Sequence, residues 1–226
     1  MLQSAVLSVQ LPANSLQYGL LAWWTLNEAS GNRADSTGRG NTMVQTGSIT
    51  GAAGFGNVGN VSVWSGSNSN FLSCGSLLTT SPWSIALWFN RSIGLTDRPL
   101  FTSIDGNDGI NLQAFRVTNN GHIACSIDGG TEVVGGPDSV GIGSWGHAAF
   151  TYDGTTVIGY LNAVQQLSAA KVADYTDVDQ TLLGTDADGT AYGGDMVAAG
   201  VWNRVLSTTE ISSLYNGGNG VQYPFS

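Results

Sequence analysis

The sequence predicts an all-β domain: two antiparallel sheets packed face to face, with one short helix near the C-terminus. Three observations carry this prediction. Glycine supplies 32 of 226 residues, charged residues only 10%, and helix-favouring Lys, Glu and Arg are scarce. Turn formers and β-formers dominate, as many short strands joined by tight turns require. Roughly a dozen short runs alternate apolar and polar, and each must bury one face, which two facing sheets accomplish. Hydrophobic residues make up 42% of the chain and include seven Trp, a composition for a packed core rather than a disordered tract. No Pro-rich run, charge block or low-complexity stretch divides the chain, so it reads as one domain over 19–226 with an N-terminal extension at 1–18.

Within the extension, Val6, Leu7, Val9 and Leu11 could form an edge strand that stops at Pro12-Ala13-Asn14. The first strong run spans 20–26, followed by short candidates at 60–64 and 71–73. The run 83–89 alternates cleanly, with Ile85, Leu87 and Phe89 on one side and Ser84, Ala86 and Trp88 on the other. Runs at 100–103, 112–117 and 122–127 read as a meander, the last turn being Asn119-Asn120-Gly121. Runs at 147–152 and 156–161 flank Asp153-Gly154-Thr155, and Asp-Gly between alternating runs is a strong hairpin signal. Runs at 181–184 and 196–202 complete the strands. The helix begins at a capping box, Ser207-Thr208-Thr209-Glu210, carries the apolar stripe Ile211, Leu214, Tyr215 and ends at Gly217-Gly218.

The net charge of −9 comes from thirteen Asp and three Glu against seven Lys plus Arg. A nucleic-acid surface needs clustered cations, and no cluster exists here. No stretch approaches the roughly 20 apolar residues of a membrane span. Residues 1–10 have neither the basic region nor the apolar core of a secretory signal. Cys74 and Cys125 each lack a CxxC partner, which argues against zinc. Ile123, Cys125 and Ile127 share one face of a strand, as a buried free thiol would; a single bridge to Cys74 stays open.

Four segments together resemble the laminin G-like family of concanavalin A-like jelly rolls. These are Ala22-Trp23-Trp24-Thr25-Leu26-Asn27-Glu28 with Asp35-Ser36-Thr37-Gly38-Arg39-Gly40-Asn41; Trp83-Ser84-Ile85-Ala86-Leu87-Trp88-Phe89; Trp145-Gly146-His147 through Thr151-Tyr152-Asp153-Gly154 to Tyr160-Leu161-Asn162; and Gly200-Val201-Trp202-Asn203-Arg204 with Glu210-Ile211 and Leu214-Tyr215-Asn216. They fall in family order over 19–225. The resemblance implies a jelly-roll sandwich. It also implies a calcium site, since many relatives hold Ca²⁺ between the early Asp turn and an acidic pair late in the chain. Carried over, the first half maps to Asp35 and Asn41, while the second falls on Val197 and Ala198, which offer no side-chain oxygen. The nearest acid is Asp195. Calcium takes six to eight oxygens, so the expectation is a lost site, the alternative being one rebuilt from Asp35, Asn41 and Asp195. The runs Asp105-Gly106-Asn107-Asp108-Gly109 and Asp186-Ala187-Asp188-Gly189 lack a distal bidentate Glu and read as turns.

Catalysis is not expected. Glycoside hydrolases of this fold need two carboxylates about 5–9 Å apart, and Glu28, Glu132 and Glu210 form no such pattern. Asp177 and Asp179 have the x+2 spacing but read as loop. His122 and His147 start strands, and no Gly-x-Ser-x-Gly elbow occurs. The expected role is a non-catalytic structural or adhesive module. The residues resemble laminin G-like domains of phage structural proteins, which implies a virion surface, with 1–18 as an arm that attaches to other virion or surface proteins. A homo-oligomer suits such a component. The alternative is a carbohydrate-binding module of an extracellular protein, with Trp24, Trp64 and Trp145 as the aromatic faces that meet a glycan.

Overall fold

The computed structural model describes residues 15–92, 97–105, 110–173, 175 and 178–225. The expected edge strand at 6–11, the Gly106–Gly109 part of the Asp105 loop, and Asp177 lie outside these residues. The strands are β1 (Leu20–Trp24), β2 (Val44–Thr46), β3 (Thr50–Ala52), β4 (Val61–Ser65), β5 (Phe71–Gly75), β6 (Trp83–Arg91), β7 (Arg98–Asp105), β8 (Ile110–Val117), β9 (Ile123–Ile127), β10 (Val133–Val134), β11 (Trp145–Tyr152), β12 (Thr156–Leu161), β13 (Val164–Ala170), β14 (Gln180–Leu183) and β15 (Gly193–Trp202). Helix α1 spans Thr208–Tyr215.

They form two antiparallel sheets. One runs β13-β12-β11-β6-β15-β4-β3, with β1 also paired to β15; the other runs β10-β9-β8-β7-β14-β5-β2. The sandwich and the single helix agree with the fold read from the sequence. The alternation of β6 has a direct structural meaning. Ile85, Leu87 and Phe89 point between the sheets and join the main core with Trp24, Trp64, Trp83, Phe115 and Phe150. Ala86 and Trp88 point the other way into a second buried cluster with Trp23, Trp202, Ile211, Leu214 and Phe225. The outer face of this sheet is therefore covered by α1, by the chain start and by the C-terminal segment.

The Asp153 hairpin joins β11 to β12 as expected, with Tyr152 opposite Val157. Asp153 Oδ1 accepts from the backbone N–H of Thr155 and Thr156, each at 2.8 Å, and Gly154 sits at φ +107°, where a side chain would be strained. The capping box is also formed. Ser207 Oγ accepts from Glu210 N at 3.3 Å, and Glu210 Oε2 accepts from Ser207 N at 2.9 Å. Asn216 rather than Gly217 takes the left-handed cap position, at φ 47°.

Strands β2, β3, β10 and β13 do not stand out in the sequence. They are short or polar edge elements, such as Val-Gln-Gln-Leu-Ser-Ala-Ala in β13, whose pairing is set by neighbours rather than by alternation. Ser15–Gln17 form a 3₁₀ turn that belongs to the body rather than to a free arm. Trp202 Nε1 donates to Leu16 O at 2.7 Å, and Arg204 donates to the carbonyls of Tyr18 and Ser15, each at 2.7 Å. Cys74 and Cys125 lie on β5 and β9 of the same sheet, four strands apart. That is roughly 19 Å at the usual strand spacing, far beyond the ~7 Å that a disulfide spans. Both are free thiols.

Candidate functional site

One end of the seven-stranded sheet opens into a cleft of about 740 Å³. Its walls come from distant parts of the chain: Gly66, Ser67 and Asn68 after β4, Asp97 and Arg98 at the start of β7, Arg116 near the end of β8, and Asp186 with Gly189, Thr190 and Ala191 between β14 and β15. Strand alternation sets Arg116 opposite to Phe115 and Val117, which fill the core. The β14–β15 loop is a tight turn. Gly189 N donates to Asp186 O at 3.1 Å, Thr190 N donates to Asp186 Oδ1 at 2.8 Å, Gly189 sits at φ +73°, and Thr185 and Ala191 close it as a bridge.

The side chains of the cleft are tied by charge. Arg116 reaches Asp186 Oδ2 at 3.0 Å and Glu132 Oε2 at 3.6 Å. Arg98 Nη1 donates to Ala191 O at 2.5 Å, and Asp97 Oδ1 accepts from Asn119 N at 3.1 Å. Burial raises the Asp186 pKa against the opposing pull of Thr190 N–H and Arg116. Burial, then the Asp97 charge, raises that of Glu132. Glu132 and Asp186 thus hold one guanidinium between them. The arrangement can donate and accept hydrogen bonds to a polar ligand in a fixed geometry.

The residues expected to form sites are not brought together. Trp24 is fully buried between the sheets, with Nε1 donating to Asn41 O at 2.7 Å. Trp64 is 1% exposed and meets Tyr192 edge-on at 6.1 Å. Neither can offer a face to a sugar, which corrects the reading of Trp24 and Trp64 as glycan platforms. Both faces of the eight-stranded sheet are covered, so alternation there separates two cores rather than core from solvent. Trp145 is half-buried and stacked on Phe55 at 4.3 Å, packed on the outer cluster of that sheet.

Asp35 serves the chain itself. Its Oδ1 accepts from Trp23 N at 3.3 Å and from Thr37 N and Oγ1 at 3.0 and 2.7 Å, and its Oδ2 accepts from Asn41 N at 3.1 Å. Burial opposes the charge, but the donors of Thr37, Asn41 and Trp23 outweigh it and lower the pKa. Asn41 donates from Nδ2 to Leu21 O at 2.9 Å. Asp195 sits four residues along β15 from Ala199, the partner of Trp24, roughly 13 Å away along the strand. Among the described residues no three His, Cys, Asp or Glu side chains gather. Asp35, Asn41 and Asp195 do not fit a calcium site: the Asp35 oxygens are spent on N–H and O–H donors, the Asn41 amide is held by Leu21 O, and Asp195 is remote.

The cationic residues of the cleft escaped sequence reading. Their only signal is scarcity, because seven cations in the whole chain make an Arg between Phe115 and Val117 conspicuous. Arg33 was also missed. It is wholly buried, donates to Ser62 Oγ at 2.8 Å, Gln45 Oε1 at 3.3 Å, Ile49 O at 3.4 Å and Gly31 O, and faces Glu28 at 3.7 Å. It fastens the 28–49 loops to β4.

Comparison with solved structures finds the same fold at low identity. The fourth domain of AbnA, a GH43 extracellular arabinanase from Geobacillus stearothermophilus, in complex with arabinotriose, superposes with a TM-score of 0.68 at 19% identity, over 85% of this chain and 96% of that one. The binding domain of Paraclostridial Mosquitocidal Protein 1 gives 0.70 at 11%, over 90% of this chain and 53% of that one. Trypanosoma rangeli sialidase gives 0.67 at 11%, over 90% of this chain and 34% of that one. A search of curated proteins finds no match. Residues 65–212 match the family model of the concanavalin A-like lectin/glucanases superfamily, and the chain belongs to that family.

Proposed function

We propose that the chain is a non-catalytic binding module that takes a glycan in the cleft between Arg98, Arg116, Asp186 and the Ser67 and Thr190 loops. The single observation that carries this reading is the cleft: a polar space of about 740 Å³, large enough for a short oligosaccharide, in which Asp186 is locked to the Arg116 guanidinium. Support comes from the arabinotriose held by the structurally similar arabinanase domain. The test is a glycan array probed with the wild type and with Asn68→Trp, which places an indole in the mouth of the cleft. Hits that vanish in the variant, with an unchanged circular dichroism spectrum, support the reading. An array without hits, or the same hits for both proteins, refutes it.

We place this module on the outside of a particle, a phage virion first and an extracellular surface otherwise, with the N-terminal residues as the attachment arm. The docking of Ser15–Tyr18 against Trp202 and Arg204 favours this reading, because it gives the preceding residues a fixed point of departure. Removing 1–14 is expected to abolish incorporation into the particle and to leave the domain folded. Unchanged occupancy would overturn the assignment.

A further inference from the structure

We propose that the cleft is built for a sugar that carries a carboxylate, of the uronic-acid type, with Arg98 as the residue that receives it. This rests on the glycan reading above and narrows it to one ligand class.

Among the described residues no aromatic side chain lines the cleft, so none of them offers a ring to stack beneath the apolar face of a neutral sugar. Affinity must come from polar and charge-assisted bonds. The two guanidinium groups of the site are not equivalent. Arg116 is held on both sides, by Glu132 and Asp186. The ion pairs among the described residues join Arg33 to Glu28, Arg116 to Glu132 and Asp186, and Arg204 to Glu210, and none of them uses Arg98. Its Nη1 donates to a neutral backbone carbonyl, that of Ala191.

The site also leaves donors unmatched, although Glu132 Oε2 is a buried acceptor without a hydrogen-bond partner as well. The Nε–H groups of Arg98 and Arg116 are both buried without a partner. The two acids that face the cleft do not make up the deficit. Asp97 spends Oδ1 on Asn119 N, and Asp186 spends one oxygen on Arg116 and the other on Thr190 N. A ligand carboxylate brings two acceptor oxygens with about four lone-pair directions, in the planar geometry a guanidinium matches. The hydroxyls of Ser67 and Thr190 and the amide of Asn68, on the same rim, are suited to sugar hydroxyls.

The test is titration calorimetry of the full chain with trigalacturonate, galactotriose and sodium acetate, for the wild type, Arg98→Gln and Arg98→Lys, with thermal unfolding of each. Trigalacturonate is expected to bind about tenfold more tightly than galactotriose, the scale of one charge-assisted contact. Arg98→Gln should erase that preference. Arg98→Lys, which keeps the charge and guards against a folding defect, should retain part of it. Acetate should bind far more weakly than the trisaccharide. Equal affinity for the two sugars, a preference that survives Arg98→Gln, or acetate binding as tightly as trigalacturonate would overturn the inference. Galactotriose binding alone would remove this narrower proposal and leave the glycan reading standing; binding of neither sugar, together with an empty array, would remove both.

Discussion

Replacing Glu210 by Gln tests how the C-terminal helix is fastened to the start of the chain. Glu210 is 4% exposed, and Arg204 reaches its two oxygens at 2.6 and 2.9 Å. Burial alone would raise the carboxyl, but the Arg204 and Ser207 donors lower it from 4.5 to about 2. The folded state therefore keeps the charge to lower pH than the unfolded chain does. The associated stability is fully present above about pH 4.5 and is lost as pH falls towards about 2. At about 1.4 kcal/mol per pKa unit, the shift corresponds to roughly 3 kcal/mol. Partial exposure of Arg204, at 18%, screens the pair, so about 2 kcal/mol is the working figure. Urea unfolding followed by Trp fluorescence at pH 7, 5, 3 and 2 measures it. Glu210→Gln should be about 2 kcal/mol less stable at pH 7, and the gap to wild type should close as pH falls through 4.5. A gap that stays constant from pH 7 to 2, or one below about 0.5 kcal/mol at pH 7, would refute the reasoning. The same substitution should loosen the chain start, because Arg204 also holds the carbonyls of Ser15 and Tyr18.

Three further outcomes are expected. Thiol titration without reductant should count two thiols per unfolded chain and fewer in the folded one, where Cys125 is wholly buried and Cys74 half-buried; burial pushes both up to about 12, and one disulfide per monomer would contradict the strand order. His147, packed against the stacked pair Trp88 and Tyr215, is lowered by burial to about 3, so the unfolded chain takes up a proton near pH 6.5 that the folded chain refuses. His147 should therefore lower stability progressively between pH 6.5 and 3, by up to about 1.4 kcal/mol per pH unit, and His147→Leu should flatten that limb; an identical limb in both proteins would show that the imidazole does not titrate there. Calorimetry of chelator-treated protein with calcium should show no micromolar event, and a clear one would mean that Asp35 trades its Thr37 and Asn41 donors for a metal.

The local grammar of this chain was legible without coordinates. Alternation in 83–89, Asp-Gly between two apolar runs, and Ser-Thr-Thr-Glu ahead of an apolar stripe each specify their structure within a few residues, because backbone sterics and near-neighbour hydrogen bonds act over that range. These signals determined the two-sheet sandwich and its helix. What alternation could not reveal was the environment of the second face. Trp23 and Trp24 point to opposite sides of β1, yet both are buried, since α1 and the chain's two ends cover the outer side of the sheet. That covering buries Trp23 on the outer side, while Trp24 and Trp64 face the interior between the two sheets. The cleft was equally hidden, because its walls stand at 66–68, 97–98, 116 and 186–191. They meet only through the order in which β7, β8 and β14 pair, and that order is a global consequence of burying every apolar face at once, which no single segment encodes.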